Sequence, residues 1–133
     1  MSRKASTFEL DLKTFAEKVG ATLDEAARGI KIALFSGVIR DTRVDTGRMR
    51  GNWQTSTGSP VMTAIDRLDQ IPQGADGGGA MSEVLSTVQG DTIDYISNNV
   101  VYAPIWEERD GMIARNLSRI SRIVSEEVAK VRR

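Results

Sequence analysis

The segment VDTGRMRGNWQ, Val44 to Gln54, decides how the chain is read, because it holds a turn, a basic cluster and a large aromatic in eleven residues. Asp45-Thr46-Gly47 is a turn signature. The Asp side chain can accept from backbone N–H groups two or three residues on, and Gly47 can take a positive φ. From Gly51 to Thr57 the residues alternate, with Trp53, Thr55 and Thr57 against Asn52, Gln54 and Ser56. That period predicts a strand with one face partly buried. Trp53 then reads as a core anchor, and the corner before it carries Arg48 and Arg50, with Arg40 and Arg43 just ahead.

Upstream, the apolar positions recur as Leu12, Phe15, Val19, Leu23, Ala26, Ile30, Ala33, Leu34 and Val38, which is one face of an α-helix. Asp11 is a candidate N-cap. Thr22 with Glu25 forms a capping box that would divide the stretch near Gly20. The apolar stripe keeps phase through Gly20 and Gly29, so the expectation is one helix of about 27 residues, about 40 Å long at 1.5 Å per residue. A helix of that length overhangs a small core and suggests a partner.

Downstream, residues 58–80 hold Pro60, Pro72 and the GADGGG run from Gly74 to Gly79, a composition that predicts a flexible loop or arm. Met81, Val84, Leu85 and Val88 predict a short amphipathic helix. Thr92 to Ser97 is β-prone, with Ile93 and Tyr95 on one side and Asp94 on the other. Asn98-Asn99 marks a turn or bulge, after which Val100-Val101-Tyr102 can continue the strand. Pro104 opens a helical turn over Ala103 to Glu108, and Asp110-Gly111 breaks it. A final helix follows, with Ile113, Leu117, Ile120, Val124, Val128 and Val131 on one stripe. Asp110 stands at its start, and Lys130, Arg132 and Arg133 at its end complement the helix dipole. The expected fold is α+β: a long N-terminal helix and a C-terminal helix on a small, mainly antiparallel sheet, with a long Gly-rich loop. Residues 1–133 form one domain, with residues 1–10 as an N-terminal arm.

Composition narrows the function. The chain has 133 residues, 40% of them apolar, and 18 basic side chains balance 18 acidic ones, so no global field attracts nucleic acid or anionic lipid. There is no cysteine and no histidine, which removes most nucleophile–base pairs and most zinc sites and suits a reducing cytosol. No apolar run approaches the roughly 20 residues that span a bilayer, and MSRKASTFELDL has no secretory pattern. GADGGG lacks the Lys-Ser/Thr and the preceding strand of a phosphate loop. Glu107, Glu108 and Asp110 could act as acid and base or grip a hard cation. A solvated turn with Asp110 capping the last helix explains them more simply. No enzyme, metal or cofactor is expected.

Arg40, Arg43, Arg48 and Arg50 make the strongest ligand candidate, since guanidinium forks suit phosphates and Trp53 could stack on a base. Asp41 and Asp45 offer them local partners, and ion pairing at a subunit contact is the preferred use. A nucleic-acid-binding module is the alternative.

VDTGRMRGNWQ, followed some forty residues later by YISNNVVYAPIWEE (Tyr95–Glu108), resembles the neck or tail-completion proteins of long-tailed bacteriophages of the siphophage type, which include head–tail joining and minor tail components. The resemblance spans residues 11–125. It departs after Glu107, where Glu108-Arg109-Asp110-Gly111 is a shortened connection. The resemblance implies a structural virion protein, assembled in the host cytoplasm, that forms a ring around the tail axis. Its partners would be copies of itself (a hexamer or dodecamer), connector or head-completion proteins, and tail proteins. Genomic DNA would pass through the channel without specific binding. On the same basis Val44, Asp45, Thr46, Gly47 and Arg48 shape the corner after the long helix, with Arg50 available to neighbours. Gly51 and Trp53 start and anchor the first strand, and Asn98, Asn99, Tyr102, Ala103 and Glu107 fix a second corner.

Overall fold

The computed structural model describes residues 11, 13–18, 20 and 22–131. The N-terminal arm, Leu12, Val19, the side chains of Val128, Lys130 and Val131, and Arg132 and Arg133 lie outside the described residues.

The fold is α+β. After a helical stretch over residues 13–18 come α1 (Leu23–Arg40), α2 (Arg48–Gly51), β1 (Trp53–Thr57), α3 (Gly79–Thr87), β2 (Asp94–Asn98), α4 (Ala103–Asp110) and α5 (Met112–Val131). The two strands pair antiparallel, with Trp53 opposite Asn98 and Thr57 opposite Asp94. No helix among the described residues is long and apolar enough to cross a membrane.

The single N-terminal helix predicted from the apolar stripe is interrupted. Gly20 sits at φ +70°, and Thr22 caps α1 by accepting the Glu25 N–H at 3.1 Å while its hydroxyl donates to the Glu25 carboxylate. Local capping overrides the continuous stripe. The resulting helix is only 18 residues, about 27 Å long, so the overhang inferred from a longer one disappears.

The core gathers Phe35, Val38 and Ile39 of α1, Met49, Trp53, Met81, Val84 and Val88, Val100, Ala103 and Met112. The last helix packs chiefly on α1, and it is α3 that covers β1. Both long helices had been expected on the sheet. Gly37 and Asn116 explain the difference: a Cβ at Gly37 would stand 2.1 Å from the Asn116 side-chain oxygen, so the two helices touch nearly backbone to side chain. Asn116 is 1% exposed and donates to the Met112 carbonyl and the Asp41 carboxylate, whereas Leu117 of the predicted stripe is half exposed.

Strand β1 also departs from simple alternation, for Trp53, Gln54 and Thr55 are all buried. Residues 58–78 cover the second face, with Gln54 donating to the Thr63 carbonyl at 2.7 Å. On the unpaired edge of β1, Arg67 donates to the carbonyls of Gly51 and Trp53, and Glu83 accepts the Thr55 N–H. These side chains close an edge that would otherwise expose ladder groups. The second strand is Asp94–Asn98 and does not continue through Val100–Tyr102, because Asn98 Oδ1 accepts the Val100 N–H and the side chain turns the chain.

Residues 58–78 contain neither helix nor strand, but they are not the unsupported arm that composition predicts. Asn52 accepts the Ile65 N–H, Asp69 N–H donates to the Gly47 carbonyl, Gly74 N–H to the Arg40 carbonyl and Asn99 to the Val61 carbonyl. The chain's own corner supplies the partners that its apolar content cannot.

Candidate functional site

The two motifs that carry the resemblance fold into one corner. Gly47 lies at φ +88° and opens α2. A Cβ there would stand 2.5 Å from the Asp69 carbonyl oxygen, and one at Gly51 would stand 2.0 Å from that of Arg67. Both glycines therefore let the loop lie directly on the turn. Thr46 Oγ1 accepts the Arg48 N–H, a part the sequence had suggested for the exposed Asp45. Trp53 is 2% exposed, and its indole N–H donates to Thr42 Oγ1 at 2.7 Å; Thr42 in turn donates to the Val38 carbonyl. The anchor is thereby tied to the last turn of α1.

The second motif docks by one side-chain bond. Asn98 Nδ2 donates to the Met49 carbonyl at 2.8 Å, joining β2 to α2. Asn99 holds the covering loop, Tyr102 stands at the N-cap position of α4 without a side-chain cap bond, and Ala103 is buried in the core. Glu107 accepts the N–H groups of Ile113 and Ala114, so it caps α5, the role expected of Asp110. Asp110 instead binds Arg43 through both oxygens, at 2.9 and 3.2 Å. That hydrogen bonding from Arg43 holds the Asp110 carboxyl below its ordinary value.

A cleft of about 290 Å³ lies where the corners meet, lined by Arg43, Asp45, Thr46, Arg48, Tyr102 and Trp106 among others. Arg43 lies 4.2 Å above the Trp106 ring and Arg109 at 5.2 Å from the same centroid, positions suited to cation–π attraction.

The four arginines do not form one patch. Arg50 is 0% exposed: it lies 3.3 Å from Asp69, itself buried, and donates to the carbonyls of Ala75 and Gly77. Contrary to both expectations from the sequence, it is therefore neither open to neighbouring subunits nor part of a nucleic-acid surface. Arg40 pairs with Asp76 at 2.9 Å, and Arg48 stands 3.6 Å from a fully exposed Asp66. Both oxygens of Glu107 accept backbone N–H groups, and both of Asp110 accept from Arg43. Among the described residues no group of three or more metal-capable side chains converges.

Compared with protein-family models, curated proteins and solved structures, the chain matches none.

Sequence reasoning missed Arg67, Asp69, Glu83 and Asn116. Each is a polar residue whose partners lie far along the chain, and no local pattern marks them.

Proposed function

We propose that this chain is a structural virion protein of a tailed bacteriophage, a ring-forming component of the neck at the head–tail junction. The observation that supports it most is the 2.8 Å bond from Asn98 to the Met49 carbonyl. The two motifs of the resemblance are separate in sequence and become one tightly bonded corner, as residues kept for architecture would.

Surface character supports the same reading. Val101 is 94% exposed, Ile93 71% and Ile105 57%, apolar area of the kind that subunit contacts use. Helix α1 does not overhang the core and the loop is held by its own chain, so neither feature calls for a partner. The reading rests on the corner, the exposed apolar residues and the resemblance.

Light scattering and negative-stain imaging of the purified chain, alone and with purified phage tails or connectors, test it. A ring well above monomer mass, formed alone or on meeting those partners, is the expected result. A chain that stays monomeric and ignores both overturns it.

A further inference from the structure

We infer that the outer edge of β2 pairs with the same edge of a second copy of this chain, antiparallel about a two-fold axis at Ile96. Two two-stranded sheets thereby become one of four strands. The inference goes beyond the ring reading and does not depend on it.

The ladder shows which backbone groups are left over. Gly58 N–H donates to the Ile93 carbonyl, so in the observed register Ser56–Tyr95 and Gln54–Ser97 are the pairs that exchange backbone bonds. Trp53 and Thr55 point their groups the other way, to Arg67 and Glu83. By the same alternation Asp94, Ile96 and Asn98 turn theirs away from β1. The sheet has no third strand, and among the described residues nothing in the chain bonds to these outward groups.

The two edges differ in their protection. The edge of β1 is closed by Arg67 and Glu83, themselves 3.3 Å apart, which supply a neighbouring strand's donors and acceptor. The edge of β2 lacks the usual guards, for Asp94–Asn98 holds no lysine, arginine or proline. Its one charged side chain, Asp94, is 0% exposed and bound by Lys31, Thr57 and Thr92. A two-stranded sheet is marginal in water, and an added strand satisfies an open edge.

Self-complementarity selects a second copy as the occupant. Since β1 is closed, β2 meets β2, which is an isologous contact. Centred on Ile96, the pairing lets Ile96 exchange both backbone bonds with its counterpart and sets Asp94 against Asn98 in both directions. Tyr95 falls opposite Ser97, and no exposed like charges face each other. The same register runs Ile93 of each copy, 71% exposed, toward the Asn99–Val101 end of the other, where Val101 is 94% exposed.

The chain has no cysteine, which permits a register-specific test. Tyr95 and Ser97 of the second copy would form a non-bonded pair with Cα atoms about 4.5 Å apart. Each lies two positions along the strand from its own counterpart, too far to bridge. Mild oxidation of the Tyr95→Cys, Ser97→Cys double variant should therefore give a covalent dimer, and neither single variant should. No dimer from the double variant, or equal yields from the single ones, overturns the inference. Charge gives a second measurement. Tyr95→Lys with Ser97→Lys sets like charges across the pair, and Tyr95→Lys with Ser97→Glu sets opposite ones there. Once circular dichroism shows that both fold, light scattering should find the first at half the mass of the second. Equal masses overturn the pairing, as does a wild type that stays monomeric, whether or not an extended peptide of another protein binds along β2.

Discussion

Arg50 and Asp69 form a fully enclosed ion pair, 3.3 Å apart with side chains 0% and 2% exposed, between the corner helix and the loop that covers it. Gly78 crosses so close that a Cβ would stand 2.1 Å from the Asp69 carboxylate. Removing one partner leaves the other charge buried without its counter-ion, which costs about 3–5 kcal/mol. Asp69→Ala should therefore lower the urea midpoint sharply. The double variant Arg50→Met, Asp69→Leu should recover part of the loss, because no charge is left unpaired. A double variant no more stable than Asp69→Ala would show that Arg50's bonds to Ala75 and Gly77, and not the ion pair, hold the loop.

Glu107 and Asp110 exchange the roles their order suggests. Glu107 accepts two backbone N–H groups at the start of α5, so Glu107→Ala should destabilise by about 1 kcal/mol, the usual loss for a helix cap. Asp110→Ala removes an ion pair with a half-exposed arginine and should cost less. Urea titrations of the two variants give the order directly, and equal or inverted losses would refute the assignment.

These two pairs also mark how far the residues could be read without coordinates. The helix face of Phe35 and Val38, the Gly47 turn, the Trp53 anchor and the break at Gly111 follow from period and local backbone preference. Gly20 was ambiguous because the apolar stripe and the Thr22–Glu25 box make opposite demands, and the cap prevailed. The contacts of Arg67 with Trp53, of Asp69 with Arg50 and of Asn116 with Asp41 join residues 14, 19 and 75 positions apart. Nothing periodic signals such pairs. A polar loop looks unsupported until its tertiary partners are known.

Asp94 ties the far end of the sheet to α1 and sets an acid limb on stability. Its burial works against ionisation, but hydrogen bonds from Thr57, Lys31 and Thr92 together outweigh this and hold the carboxyl below its ordinary value of 3.8. A depressed folded pKa gives stability that is present above the unfolded value and lost as pH falls through the folded one. Unfolding free energy should therefore drop as pH is lowered below about 4, and Asp94→Asn should flatten that drop while lowering stability at pH 7. Parallel acid limbs in wild type and variant would remove Asp94 from the account.

Arg40, Arg43 and Arg48 each stand beside a carboxylate, and Arg50 is enclosed, so this patch should bind duplex DNA weakly. Three accessible arginines would give a slope of log affinity on log salt no steeper than about −2.7. Arg43→Ala and Arg48→Ala should change binding little. A steeper slope that collapses in those variants would favour the nucleic-acid alternative.

Thr42 is the hinge of the Trp53 anchor, accepting from the indole and donating to the Val38 carbonyl while wholly buried. Thr42→Val preserves the volume but leaves the indole N–H without an acceptor, which costs about 1–3 kcal/mol. Trp53→Phe in the same background removes the stranded donor and should make the Thr42 substitution nearly silent. A double-mutant cycle by urea unfolding measures the coupling. If the two losses simply add, the bond at 2.7 Å contributes nothing and the anchor works by packing alone.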